Sequence, residues 1–373
     1  MSSENSKRIT NLDGFRGLLS LIVVLNHSFL VVAIPGFANV WGENYFRFID
    51  LQSKIQQIFM ILGNGGTAVS LFFVLSGFVL NFSLQKFSFN TLNYATFLYK
   101  RFLRLYPAFL FTITLISLAR WLGFDYRVFP HASTWYHWWM NFNLDLKEFL
   151  FNATFFRINL GGVTWTLRVI VIFSFFAPFF YALSKKLSLY QNILVAIILT
   201  YVSFNLLDFS GLRDFRYFYM FYIGMLIPRF SEFFKNIPTK FIYLSMPFVL
   251  YTMFTIRYQT DEYIGGVWES YLGWFLIGLI IYQDRLPIFK FLKSKIFLFL
   301  GQISYSIYLI HFSILYTLAR MIFQFMPNIN YSQYYLATHL FLLLASSIAT
   351  IPVSLIVHKY VEKIPEKIAK VTK

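Results

Sequence analysis

At 373 residues, 58% hydrophobic and 13% charged, the chain carries about half the charge of a soluble domain, which has roughly 25%, and its mean hydropathy is +0.59. This balance predicts an all-α integral membrane protein, and although the formal charge is +16, its Lys and Arg lie in short clusters between apolar runs, which argues against a nucleic-acid partner. Cysteine is absent, which excludes disulfides, thiol nucleophiles and Cys-ligated metals.

The first apolar run opens with Asp13-Gly14-Phe15-Arg16 and reaches Asn26-His27. Asp13 is a good N-cap at the positive end of a helix. Arg16 and His27 lie eleven residues apart, about three turns, so they share one face. From Asp13 to His27 the helix climbs roughly 21 Å, which puts His27 well inside a bilayer core about 30 Å thick. An ionisable group at such depth reads first as a functional site, with a hydrogen bond to a neighbouring helix as the ordinary alternative. The run has no small-residue cleavage site and continues into further spans, so it is expected to be retained.

In chain order, residues 1–12 are polar and expected in the cytoplasm, and span 1 covers 13–33. The mixed segment 37–62 reads as an external loop with an interfacial helix, and Gly63-Asn64-Gly65-Gly66 as a turn. Span 2 covers 67–84 and contains Ser76-Gly77, a small pair suited to close helix approach. The stretch 86–104 is expected inside, ending in Lys100-Arg101-Phe102-Leu103-Arg104. Arg101 and Arg104 are three residues apart and face the same way on a helix. Tyr106-Pro107 starts span 3, which ends near Gly123.

The segment 125–159 is external and aromatic, with Trp135, Tyr136, Trp138 and Trp139 crowded together. An interfacial belt explains them, and a stacking platform for sugars is the alternative. Spans 4 to 10 are read at 163–183, 189–207, 217–228, 241–256, 267–283, 296–325 and 335–357. The expected architecture is therefore a bundle of about ten transmembrane helices with both termini cytoplasmic, a single domain over 1–373 with no appended soluble domain. Roughly twenty of the 32 Lys and Arg fall in the segments placed inside, as the positive-inside rule requires. In this placement none of the sixteen Asp and Glu lies mid-span. His339 and His358 stand apart from any motif, and no metal motif or phosphate loop is present.

Five blocks now stand in order: Asp13-Gly14-Phe15-Arg16 with His27, Phe72 to Phe78, Arg101-Phe102-Leu103-Arg104 before Tyr106-Pro107, Trp165-Thr166-Leu167-Arg168, and Gly301 to His311. Together they resemble the membrane-bound acyltransferases of the acyltransferase-3 family, whose bacterial members O-acylate surface saccharides. The resemblance implies transfer of an acyl group, acetyl in the first instance, from cytoplasmic acyl-coenzyme A to a hydroxyl of a surface saccharide such as lipopolysaccharide O-antigen. It implies residence in the inner membrane among lipids, a saccharide acceptor that is lipid-linked or free, acetyl-CoA as donor and no metal.

By the same resemblance His27 is the essential histidine and Arg16 its arginine partner, and Asp13, three to four turns away on the same helix, is counted in the catalytic set with them. Arg101 and Arg104, with Lys100 and Arg168, meet the donor, and Arg is well suited to gripping the phosphates of coenzyme A. Anchoring to anionic lipid is the alternative for Arg101 and Arg104. For Arg168 the alternatives are oxyanion or donor stabilisation and a structural hydrogen bond to carbonyls of a neighbouring helix. Trp165, Trp138, Trp139, Tyr305 and His311 fall to the acceptor side, His311 also serving as helix packing. His27 acts either as a general base or as the acyl carrier.

One position departs from the family pattern. Ile170 stands where a glutamate is usual, so His27 has no evident carboxylate partner. Restoring glutamate at Ile170 is then expected to raise activity. The competing reading is a transporter or flippase for a lipid-linked sugar or small solute, in which Arg16, His27 and Arg168 line a path. No internal repeat of the kind many transporters show is evident.

Overall fold

The computed structural model describes residues 10–35, 50–139, 141–205 and 212–363. Among these the chain is helical, with one isolated antiparallel bridge between Val32 and Ala132. The helices are α1 (Thr10–Ser28), α2 (Leu51–Leu62), α3 (Gly65–Ser83), α4 (Thr91–Trp121), α5 (Thr134–Trp138), α6 (Leu146–Ala153), α7 (Thr164–Lys186) and α8 (Leu189–Asn205). They continue with α9 (Phe218–Leu226), α10 (Ser231–Asn236), α11 (Thr239–Gln259), α12 (Glu262–Tyr282), α13 (Lys295–Gln302), α14 (Ser304–Phe325) and α15 (Tyr335–Val357), the last running into a wider turn, His358–Glu362.

Seven stretches among the described residues are long and apolar enough to cross a membrane: Leu51–Ser83, Thr91–Trp121, Thr164–Lys186, Thr239–Gln259, Glu262–Tyr282, Ser304–Phe325 and Tyr335–Glu362. The other three expected spans are helical but weaker by that measure. α8 has 17 residues and α9 has 9. α1 has 19 but spends them on Asn11, Asp13, Arg16, Asn26 and His27. These polar groups can be carried because α1 is an inner helix, packed against α3, α13, α14 and α15.

Four boundaries differ from the sequence reading, each for a local reason. α1 starts at Thr10, so Asp13 is in its first turn and is not its cap. An acid there still faces the positive helix end. α4 starts at Thr91, where the Asn90 side chain accepts from Asn93 N–H at 2.7 Å. Arg101 and Arg104 therefore sit inside a 31-residue helix rather than ahead of one. Capping by Asp261 begins α12 at Glu262, which draws Glu269 into the helix interior. The run 296–325 is two helices, broken at Ile303. The segment 37–49 lies outside the described residues, and α2 supplies the helix expected before the Gly63 turn.

Close backbone contacts hold the centre together. A methyl group on Gly77 would overlap the Phe221 carbonyl, and one on Gly224 would overlap that of Val74, so α3 and α9 touch backbone to backbone. Gly77 thus does what its small size predicts. Around these contacts one apolar core joins α3, α7, α9 and α12, while a second surrounds the C-terminal end of α1 between α4, α5, α14 and α15.

Candidate active site

Two cavities adjoin within the bundle. The first, about 600 Å³, is lined by Asp13 and Arg16 of α1, Arg101 and Arg104 of α4, Ile170 of α7, and Tyr305 of α14, with Glu362 at the end of α15. Arg101 Nε lies 3.4 Å from Ser174 Oγ, a long bond, and Arg104 makes no hydrogen bond or ion pair with the described residues. Glu362 is committed elsewhere, accepting from Ser306 Oγ and lying 2.8 Å from His358 Nδ1. We refer to this as the arginine chamber.

The second cavity, about 530 Å³, is lined by His27, Asn26, Trp135, Trp139, Trp165, Arg216, Tyr217 and Arg257. In this histidine chamber His27 Nδ1 lies 2.8 Å from His311 Nε2, and the two rings are nearly coplanar, 13° apart. His311 Nδ1 lies 2.9 Å from the Ile307 carbonyl. A carbonyl only accepts, so His311 carries its proton on Nδ1 and presents a lone pair at Nε2. His27 must then donate from Nδ1, which leaves the lone pair of its Nε2 available. The tautomers are assigned from the hydrogen-bond network. The bond spans 284 residues of sequence and supplies the partner that His27 lacked in the sequence.

The backbone beyond α1 is fastened next to this pair. Ser133 N–H donates to the Val31 carbonyl at 2.9 Å, and Ala33 N–H to that of His131 at 3.0 Å. Ser133 Oγ also donates to the Leu30 carbonyl. These bonds bring α5 over the end of α1 and set the Trp135 ring centroid 5.2 Å from that of His27. His339 has a clear structural task. Its Nε2 accepts from Val32 N–H at 3.0 Å, its Nδ1–H donates to Gln56 Oε1 at 3.1 Å, and Gln56 Nε2 donates to the Phe29 carbonyl at 3.2 Å.

A buried acid also escaped the sequence reading. Glu269 is fully buried in α12, two turns past its start, against the expectation that no Asp or Glu lies mid-span. Arg257 grips it in bidentate fashion, Nε at 2.9 Å and Nη2 at 2.6 Å, while Thr67 and Ser70 of α3 each donate a hydroxyl at 3.0 Å. Full pairing is the condition under which a buried carboxylate is tolerated. Asp261, with Oδ1 accepting from Tyr263 N–H at 2.8 Å and Ile264 N–H at 3.2 Å, is the signal that could have revealed it. A cap at 261 makes 269 an interior helical position.

The structure gathers some predicted residues and disperses others. Arg16, Asp13, Arg101, Arg104 and Tyr305 meet in the arginine chamber, where the Tyr305 hydroxyl donates to the Leu105 carbonyl at 2.6 Å. His27, Trp139 and Trp165 meet in the histidine chamber, joined by Trp135. Arg168 instead forms an ion pair with Asp214, Nε to Oδ2 at 2.8 Å and Nη2 to Oδ1 at 3.1 Å, and lines neither cavity. Its partner is a carboxylate of the Arg213–Tyr217 turn, not the helix carbonyls of the structural alternative. Trp138 is exposed and Lys100 half-buried, both outside the two cavities. Ile170 lines the arginine chamber and not that of His27, so a glutamate there would face arginines. Among the described residues no group of three or more His, Asp or Glu is placed to hold a metal ion.

A multi-pass helical bundle with an oriented histidine beside a cationic cavity has the parts of a membrane-embedded group-transfer enzyme. A family profile described as an acyltransferase domain matches residues 9–359. The chain belongs to the acyltransferase-3 family and is an acyltransferase. No curated protein and no solved structure matches it significantly.

Proposed function

We propose that the protein moves an acyl group, acetyl in the first instance, from acyl-coenzyme A to a hydroxyl of a cell-surface saccharide. The observation that carries this reading is the His27–His311 pair standing beside the arginine chamber. The phosphates of the donor bind at Arg101 and Arg104, with Arg16 lining the same chamber, because guanidinium forks suit phosphate oxygens. Lys363 in this chamber, with Lys100 next to Arg101 and Lys359 next to His358 in the sequence, favours a cytoplasmic opening. The acceptor sugar stacks on Trp139 and Trp165 in the histidine chamber.

In the reaction His27 Nε2 takes the proton of the acceptor hydroxyl as its oxygen attacks the thioester carbonyl. The tetrahedral intermediate then expels coenzyme A thiolate, which recovers that proton from His27. Nδ1–H stays on His311 throughout, so the ring keeps one orientation and its developing charge is shared with a hydrogen-bond acceptor. The residence of the enzyme in the inner membrane follows from this reading, since donor is cytoplasmic and acceptor external.

The test is release of free coenzyme A from acetyl-CoA by purified protein in lipid, with and without bacterial surface glycan. Glycan-dependent release that falls by about 10²–10⁴ in His27→Ala is expected, the range for losing a general base. Full release in the variant would remove His27 from the chemistry. Transport of glycan without thioester consumption would favour the flippase.

A further inference from the structure

Three residues, Val69, Phe73 and Tyr308, line both chambers. They form the wall through which any group must pass from the arginines to His27. Phe73 is fully buried and held by rings on several sides, with centroid distances of 4.9 Å to Phe221 and 6.1 Å to Trp165. It is a fixed part of the wall. Tyr308 is different. It is partly exposed, and its hydroxyl lies 2.7 Å from Thr166 Oγ1. The Thr166 hydroxyl already donates to the Val163 carbonyl at 2.9 Å, so Tyr308 is the donor. One neutral hydrogen bond therefore latches α14 to α7 across the passage, a bond of small net strength.

α14 carries Tyr305, Tyr308 and His311 at successive intervals of three residues, so they follow one side of the helix. Tyr305 lines the arginine chamber, Tyr308 the boundary, and His311 holds His27. The Tyr308 ring stands 6.1 Å from that of His311 and 5.8 Å edge-on from Phe72. Breaking the latch and turning the ring would open a path without moving a helix.

We propose that Tyr308, latched to Thr166, is the gate between the two chambers, admitting a slim thioester arm and holding back water and bulky acyl groups. Tyr308 is a positioning and specificity residue, not a catalytic one. What passes the gate rests on the donor assigned above. With the gate lost, two changes follow. Longer acyl chains reach His27, and water attacks the thioester to give carboxylate and free coenzyme A thiol.

The chain has no cysteine of its own, which permits a test independent of catalysis. A single cysteine at Val23→Cys marks the histidine chamber, and one at Ser76→Cys identifies the membrane face from which the arginine chamber opens. A charged thiol reagent applied from that face should label Val23→Cys slowly in otherwise unaltered protein. Tyr308→Ala should speed that labelling about tenfold, and shift preference between acetyl- and hexanoyl-CoA about tenfold toward the longer chain. Thr166→Val keeps the ring and removes the latch. It should speed labelling to a lesser degree, and it carries the test if Tyr308→Ala does not fold.

Fast labelling with Tyr308 and Thr166 intact would overturn the gate, as would unchanged labelling in a folded variant of either residue. An unchanged acyl preference in active Tyr308→Ala would overturn its part in specificity. Labelling that responds as expected, in protein that consumes no thioester, would support the gate and sink the donor assignment.

Discussion

The two chambers are of similar volume and share a wall, yet Arg101 and Arg104 in one are held far more loosely than His27 and Arg257 in the other. In the histidine chamber each principal group is committed within the fold: His27 to His311, and Arg257 to Glu269. In the arginine chamber Arg101 has a long bond to Ser174 and Arg104 has none among the described residues. A reaction centre needs a geometry fixed before substrate arrives. A receptor for an anionic ligand needs donors that are still available when it arrives. The difference in commitment separates the two tasks more clearly than residue type does, since both chambers contain arginine.

The sharpest way to break this comparison is to undo the commitment at Glu269. Glu269→Leu leaves Arg257 charged without its bidentate partner, and loss of one member of a buried pair costs about 3–5 kcal/mol. A large drop in the detergent unfolding temperature is expected, and an unchanged one would mean that the pair contributes little. Next comes His311→Phe, which keeps a ring but removes the acceptor for His27 Nδ1–H. Misorientation of a catalytic group costs on the order of 10² in kcat, with the donor KM unchanged. His311→Gln, whose amide oxygen can accept, should recover part of the loss. Equal effects of Phe and Gln would reduce His311 to packing. In the other chamber Arg101→Gln and Arg104→Gln should each raise donor KM about tenfold, about 1.4 kcal/mol, and leave kcat nearly intact. A fall in kcat alone would overturn the assignment of tasks.

Composition and apolar periodicity made the membrane class and the order of helices legible, and the five blocks made the family legible. Arg101 and Arg104 were legible as a pair because helical spacing is local, and His27 because a lone histidine deep in an apolar run is conspicuous. The partner of His27 was not. His311 is 284 residues away, and nothing in a linear pattern says that two helices will bring two particular rings together. The pattern points instead to Ile170, where an acid is missing, yet α7 turns that position toward the arginines. Glu269 failed for a smaller reason, a helix start set a few residues late, which turned an interior acid into a terminal one. The role of Arg168 stays open in the sequence because its counterion, Asp214, lies 46 residues on, beyond the reach of any local pattern.

The mildest test uses a third arginine on the same helix as Arg101 and Arg104. At the far end of α4, Arg120 is clamped by Asp125, with Nε at 2.9 Å and Nη2 at 2.5 Å from Oδ1, and donates to the Phe142 carbonyl at 2.5 Å. Burial alone would push the Asp125 carboxyl up, but the hydrogen bonds from Arg120 outweigh it and hold the group below the ordinary carboxylate range. A depressed folded value means that the clamp contributes its full stability above the unfolded carboxylate pKa of about 3.9 and loses it as pH falls through the lower folded value. Asp125 is 58% exposed, so solvent screens the pair and the effect is small, within about 1 kcal/mol. Asp125→Asn should lower the unfolding temperature slightly at pH 7, and the difference should vanish once the pH has fallen below the depressed folded value of Asp125. Donor KM should not move at either pH, because this arginine is already committed and faces neither chamber. A rise in donor KM would mean that α4 couples its two ends, and that the arginine chamber is less independent of the fold around it than the weak hold on Arg101 and Arg104 implies.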